Sequence, residues 1–133
     1  MKLITFTEAG WSRVGLLKDD GVIDLSIACP SLPHEMLALI QAGPDAIALA
    51  ASACDQAPHF SLLGVAFEAV IKRPPKIIAI GLNYRAHAEE SNMALPEVPL
   101  VFTKQSTSAN GPYSPIYWSE EGKAMDYEGE LAL

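Results

Sequence analysis

The sequence predicts an α+β fold in two parts: a small N-terminal α+β domain over residues 1–71, and a second unit from residue 76. Three observations carry this. Asp20-Gly21 lies between the apolar runs Val14-Gly15-Leu16-Leu17 and Val22-Ile23-Asp24-Leu25, which reads as a β-hairpin. Residues 31–54 change to helical spacing, with Met36, Leu37, Leu39 and Ile40 on one face. Lys72-Arg73-Pro74-Pro75 then breaks the chain, since two prolines forbid a helix and stiffen an extended link. Residues 72–75 are therefore the expected linker.

The elements follow in order. Short strands are expected over residues 2–25, with Gly21 supplying the positive φ of the hairpin turn. Ser31 is the expected cap of the first helix, with Pro33 in its first turn. Gly43-Pro44 ends that helix, and the alanine-rich stretch Asp45–Cys54 makes the second. Pro58 ends it in turn, and short strands are expected at 60–63 and 66–71. After the linker, Lys76-Ile77-Ile78-Ala79-Ile80 is an apolar strand closed by Gly81, the kind that delivers a loop to a site. A short helix is expected over 83–91, a strand over 98–103 and a turn at Asn110-Gly111-Pro112. A strand at 116–118, a polar turn over 119–123 and an extended segment over 126–133 complete the reading.

Composition narrows the function. The chain has 133 residues, 16 acidic against 9 basic, for a net charge of −7. That balance disfavours a phosphate backbone as partner and favours a divalent cation. Two cysteines, Cys29 and Cys54, show no ligand or redox spacing and read as small apolar fillers. There is no apolar leader, and no apolar run nears the roughly 18 residues of a membrane span. A cytoplasmic protein without nucleic-acid or membrane partners is the expectation. Leu131-Ala132-Leu133 ends on an apolar run with no cap or polar tail, so the chain is expected to be the front part of something longer.

Two constellations could carry chemistry. His87 and Glu90 are three apart, on one face of a helix. A carboxylate beside an imidazole orients it and makes it more basic, as a general base requires; the plain alternative is a solvated helix face. Asp126, Glu128 and Glu130 alternate along the last segment and on a strand would share one face. Their mutual repulsion is relieved by a hard cation such as Mg²⁺, Mn²⁺ or Ca²⁺, or else they form a solvated edge. Lys104, after Leu100-Val101-Phe102-Thr103, could hold a substrate carboxylate or simply snorkel from the sheet. His34 and His59 lack partners at ligand spacing and receive no role. The dinucleotide, phosphate-loop, HExxH and G-x-S-x-G motifs are absent, which removes support for nucleotide enzymes, zincins and serine hydrolases.

Five blocks, taken together, resemble the fumarylacetoacetate hydrolase family. They are Lys76–Tyr84, His87 with Glu90, Pro99–Lys104, Gly111-Pro112 and Asp126–Leu131. The resemblance covers residues 76–133 as the start of a catalytic domain. Residues 1–70 resemble the small N-terminal domain of two-domain bacterial members, among them diketo-deoxy-sugar-acid hydrolases and ureidoglycolate lyase-like enzymes. It implies a mixed β-roll and a homodimer. It implies a Mg²⁺ or Mn²⁺ site on Glu128 and Glu130, with a third ligand beyond Leu133 and no part for Asp126. His87 and Glu90 match the pair that activates water or moves a proton, and Lys104 matches a lysine of the F-x-K block. Leu82 stands where some relatives carry Arg. The implied activity is hydrolysis of a C–C bond in a 2,4-dioxo acid, with decarboxylation, isomerisation or lyase chemistry on a related 2-oxo acid as the alternative. An inactive fragment of such an enzyme is the rival outside catalysis.

Overall fold

A computed structural model describes residues 1–123 and 125–132. Seven strands and four α-helices are formed among them. The N-terminal sheet orders its strands β4-β3-β2-β1-β5, all antiparallel. These are β1 (Leu3–Glu8), β2 (Trp11–Lys18), β3 (Gly21–Asp24), β4 (Phe60–Ser61) and β5 (Ala66–Phe67). Helices α1 (Leu25–Ala28), α2 (Met36–Gln41) and α3 (Pro44–Ser52) come between β3 and β4. A separate two-stranded ribbon pairs β6 (Ile77–Gly81) with β7 (Leu100–Lys104), and α4 (Arg85–Glu90) lies between them in sequence. No helix among the described residues is long and apolar enough to cross a membrane.

The β1–β2 register explains the two faces of the N-terminal sheet. Leu3↔Leu16 and Thr5↔Val14 share one face, and Ile4↔Gly15 and Phe6↔Arg13 the other. Val14, Leu16, Ile23 and Leu25 pack with Met36 and Leu39 of α2 and Ala50 of α3 into one buried cluster. The opposite face buries an ion pair. Asp24 is fully buried, and its Oδ2 lies 3.2 Å from Arg13 Nε. Its Oδ1 caps α1 by accepting from the Ser26 N–H at 2.8 Å. The Arg13 guanidinium also pairs with Glu8 and stands over the Phe6 and Phe60 rings at 5.6 and 5.4 Å.

Several elements depart from the sequence reading. The β2–β3 loop is Asp19-Asp20, one residue earlier than expected, with Asp19 at φ 48°. Gly21 lies in β3 opposite Lys18, and its need is close approach: a Cβ there would stand 2.5 Å from Pro58 Cβ. Helix α2 starts at Met36, and the Glu35 carboxylate caps it in place of Ser31, accepting from the Ala38 N–H at 3.1 Å. Gly43 at φ 85° ends α2, and Pro44 opens α3 at its first position. The strands expected at 60–63 and 66–71 shrink to two residues each, separated by a 3-10 turn at Leu62–Gly64. Residues 116–118 form no strand, nor do residues 125–132; Leu133 lies outside the described residues.

Candidate functional site

The site begins where β6 ends. Gly81 closes the strand, and Leu82 turns the chain with φ 51°, a left-handed conformation unusual for leucine. Helix α4 follows at once and presents His87 and Glu90 one turn apart. It ends in a Schellman closure: Asn92, at φ 51°, donates to Glu89 O at 3.1 Å, and Met93 donates to Ala88 O at 2.9 Å. The short helix is therefore defined at its C-terminus, and Ala88 is its buried contact.

The ribbon supplies the floor. In the β6–β7 register Ala79 faces Phe102, Gly81 faces Leu100 and Ile77 faces Lys104. Lys104 is the last residue of β7, inside the strand and not after it. Its Nζ lies 5.9 Å from the Phe102 ring centroid. The segment carrying Glu128-Gly129-Glu130 completes one wall with no strand pairing of its own. A cavity of about 550 Å³ is lined by His87, Glu90, Lys104, Glu128 and Glu130 together. Asn83, Tyr84, Leu82 and Phe102 line it too, and the sequence reading gave none of them a part beyond the Arg-to-Leu difference at Leu82. For Leu82, Asn83 and Tyr84, the position just after an apolar strand was the available signal.

Not every expected contact forms. His87 and Glu90 share the cavity but make no hydrogen bond or ion pair; the ion pairs among the described residues are Arg13–Glu8, Arg13–Asp24 and Lys72–Glu68. Asp126 does not line the cavity, and its carboxylate accepts from the Tyr127 N–H at 2.8 Å. The single shared face of three carboxylates is thus absent, because the segment is not a strand. Glu128 and Glu130 remain as a pair of hard oxygen donors beside one lysine. That donor chemistry fits Mg²⁺ or Mn²⁺. Among the described residues no three His, Cys, Asp or Glu side chains gather closely enough to hold a metal by themselves.

His59 has a structural task the sequence did not show. Its Nδ1 accepts the Asp24 N–H at 3.0 Å, next to the backbone bond from its own N–H to Val22 O at 2.8 Å. The imidazole thereby extends the β3–β4 ladder by one acceptor.

A profile described as fumarylacetoacetate hydrolase C-terminal matches residues 76–133, the span that holds the cavity. Over that span the chain is similar to the fumarylacetoacetate hydrolase family. A mitochondrial oxaloacetate tautomerase of Xenopus laevis is 39% identical over 138 residues, covering all of this chain and 43% of the relative. A 2,4-didehydro-3-deoxy-L-rhamnonate hydrolase of a Sphingomonas strain is 34% identical over 134 residues, covering all of this chain and 44% of the relative. A crystal structure of an HpcE candidate from Mycobacterium smegmatis superposes with TM-score 0.72 at 29% identity, covering 87% of this chain and 40% of that one. The chain thus spans less than half the length of these relatives. The fold is α+β, residues 76–133 match the family model, and the relatives' names include both hydrolases and tautomerases.

Proposed function

We propose that this chain carries part of an enzyme site for an enolisable 2-oxo acid. The observation that supports it is convergence: a helix, a strand and an irregular segment bring His87, Glu90, Lys104, Glu128 and Glu130 to one cavity. Glu128 and Glu130 would hold Mg²⁺ or Mn²⁺. The bound cation supplies Lewis-acid polarisation of the 2-oxo group. Lys104 binds the substrate carboxylate as a point charge. His87 moves the proton, and Glu90, one turn along α4, orients it once substrate draws the pair together.

The leading reaction is hydrolysis of a C–C bond in a 2,4-dioxo acid, with His87 taking a proton from the attacking water. The name of the Sphingomonas relative favours it. The second reading is tautomerisation, in which His87 takes the proton from the carbon beside the 2-oxo group. The name of the Xenopus relative favours that one. Both reactions develop an enolate, so the same residues serve either. A cytoplasmic homodimer is part of the proposal.

Turnover of 2,4-dioxo acids and of oxaloacetate, followed by product mass, tests the reading. A gain of one water marks hydrolysis, loss of CO₂ marks decarboxylation, and an unchanged mass marks tautomerisation. His87→Ala is expected to lower kcat roughly 10²–10⁴-fold. Glu128→Ala is expected to remove metal dependence together with turnover. Turnover that persists in excess chelator overturns the reading.

A further inference from the structure

The lysine of the cavity has a specific support beneath it. Phe102 and Lys104 are two apart on β7, so their side chains leave the ribbon on the same face. The residues opposite Phe102 and Leu100 on β6 are Ala79 and Gly81, the smallest of that strand. A Cβ at Gly81 would stand 3.6 Å from Phe102 Cε1 and 3.1 Å from Leu100 Cδ2. The ring therefore reaches across to β6, into space that short residues leave open. The Lys104 ammonium stands over that ring, 5.9 Å from its centroid. Phe102, Ala79, Gly81 and Lys104 all line the cavity. Among the described residues Lys104 makes no ion pair, so the ring is its electrostatic partner.

We infer that Phe102 is a positioning residue for Lys104. A lysine side chain has four rotatable carbons' worth of freedom and, left alone, spreads its charge through solvent. The negative face of an aromatic ring selects the rotamers that place the ammonium above it. Phe102 thereby fixes where the carboxylate of a 2-oxo acid docks. Gly81 leaves room beside the ring, since a Cβ there would already be in van der Waals contact with Phe102 Cε1 at 3.6 Å. This inference rests on Lys104 being the carboxylate anchor proposed above.

The test uses the intact chain with Mg²⁺ and oxalate, a dianion with the adjacent oxygens of a 2-oxo acid. Phe102 is replaced by mono-, tri- and pentafluorophenylalanine, which drain the ring's negative face at nearly constant shape. Calorimetric Kd for oxalate is expected to rise stepwise, about two- to fivefold over the series, the size of an exposed contact of this kind. Phe102→Leu should match the end of the series, and Phe102→Tyr should restore binding. Lys104→Ala should weaken binding and abolish the dependence on fluorination. A ligand-free readout accompanies this: the Lys104 ε-methylene protons should show an upfield ring-current shift that Phe102→Leu removes.

A flat Kd across the series, with Lys104→Ala still weakening oxalate, overturns the role of Phe102 and leaves Lys104 as the anchor. Unchanged binding in Lys104→Ala overturns the anchor and this inference with it. Failure of the intact chain to bind oxalate does the same. An unshifted ε-methylene signal overturns the ring contact directly.

Discussion

Residues 3–67 and residues 77–104 both build antiparallel strands, yet they treat their apolar side chains in opposite ways. In the first region Leu16, Ile23 and Leu25 are buried under two helices, against Leu39 of α2. In the second, the ribbon face opposite the cavity leaves Ile78 62% and Val101 58% exposed. The first region holds a closed core and a buried ion pair whose Asp24 also caps α1 and whose Arg13 stands over two aromatic rings. The second carries His87, Glu90 and Lys104, which line the cavity together with Glu128 and Glu130 of the last segment. Burial in a packed core stabilises; a reacting group must stay reachable by substrate. The molecule separates these demands along its length, and a two-stranded ribbon alone contributes little stability. Past the ribbon, the Tyr113 ring lies 6.3 Å from the Phe67 ring, and Gly111 lies against Glu68 and Ala69.

Four measurements can break or sharpen this contrast. The largest effect is expected for Asp24→Ala, which strips a buried charge from Arg13 and a cap from α1. Chemical denaturation should show a loss of about 3–5 kcal/mol. A loss below about 1 kcal/mol would mean that the ion pair is not what organises the sheet. Leu39→Ala should cost about 2–4 kcal/mol through the cavity it leaves under α2. If it costs no more than a surface change, the core is not closed as described.

A smaller effect is expected from Glu68. Burial pushes its carboxyl up, but hydrogen bonds from Lys72, Thr7 and Ser12, with the Lys72 charge, pull it below its ordinary value. A depressed carboxyl stabilises the fold above its unfolded pKa and loses that contribution as pH falls through the folded one. Melting temperature from pH 7 to 3, as wild type minus Glu68→Gln, should therefore shrink toward acid. A flat difference would show that the Lys72–Glu68 pair, at 2.6 Å, contributes nothing. The smallest effect belongs to Ile78→Ala, which should stay within about 0.5 kcal/mol because the side chain is mostly in water. A core-sized loss there would erase the contrast between the regions.

Much of this was legible from residues alone. The prolines at 74 and 75 fall between the two sheets, and Gly43-Pro44 separates two helices as written. The strand at 76–80 and the helix around His87 appear within a residue or two. The misses share a cause. Gly21 looked like a turn residue, but its reason is Pro58, 37 positions away. Residues 116–118 have strand composition, but no partner strand pairs with them among the described residues. His59 had no partner at ligand spacing because its partner is a backbone N–H on another strand.

The sequence by itself determined which residue types could do chemistry and which stretches could bend, pair or coil. Those properties act over a few residues, through backbone sterics and side-chain period. Only the tertiary structure decided that Glu128 and Glu130 share a cavity with Lys104 and His87, and that Asp126 turns away to its own backbone. It also laid Phe102 beneath Lys104 and matched Arg13 to Asp24. Such meetings depend on strand register and on how long segments return upon one another, and no local preference encodes either.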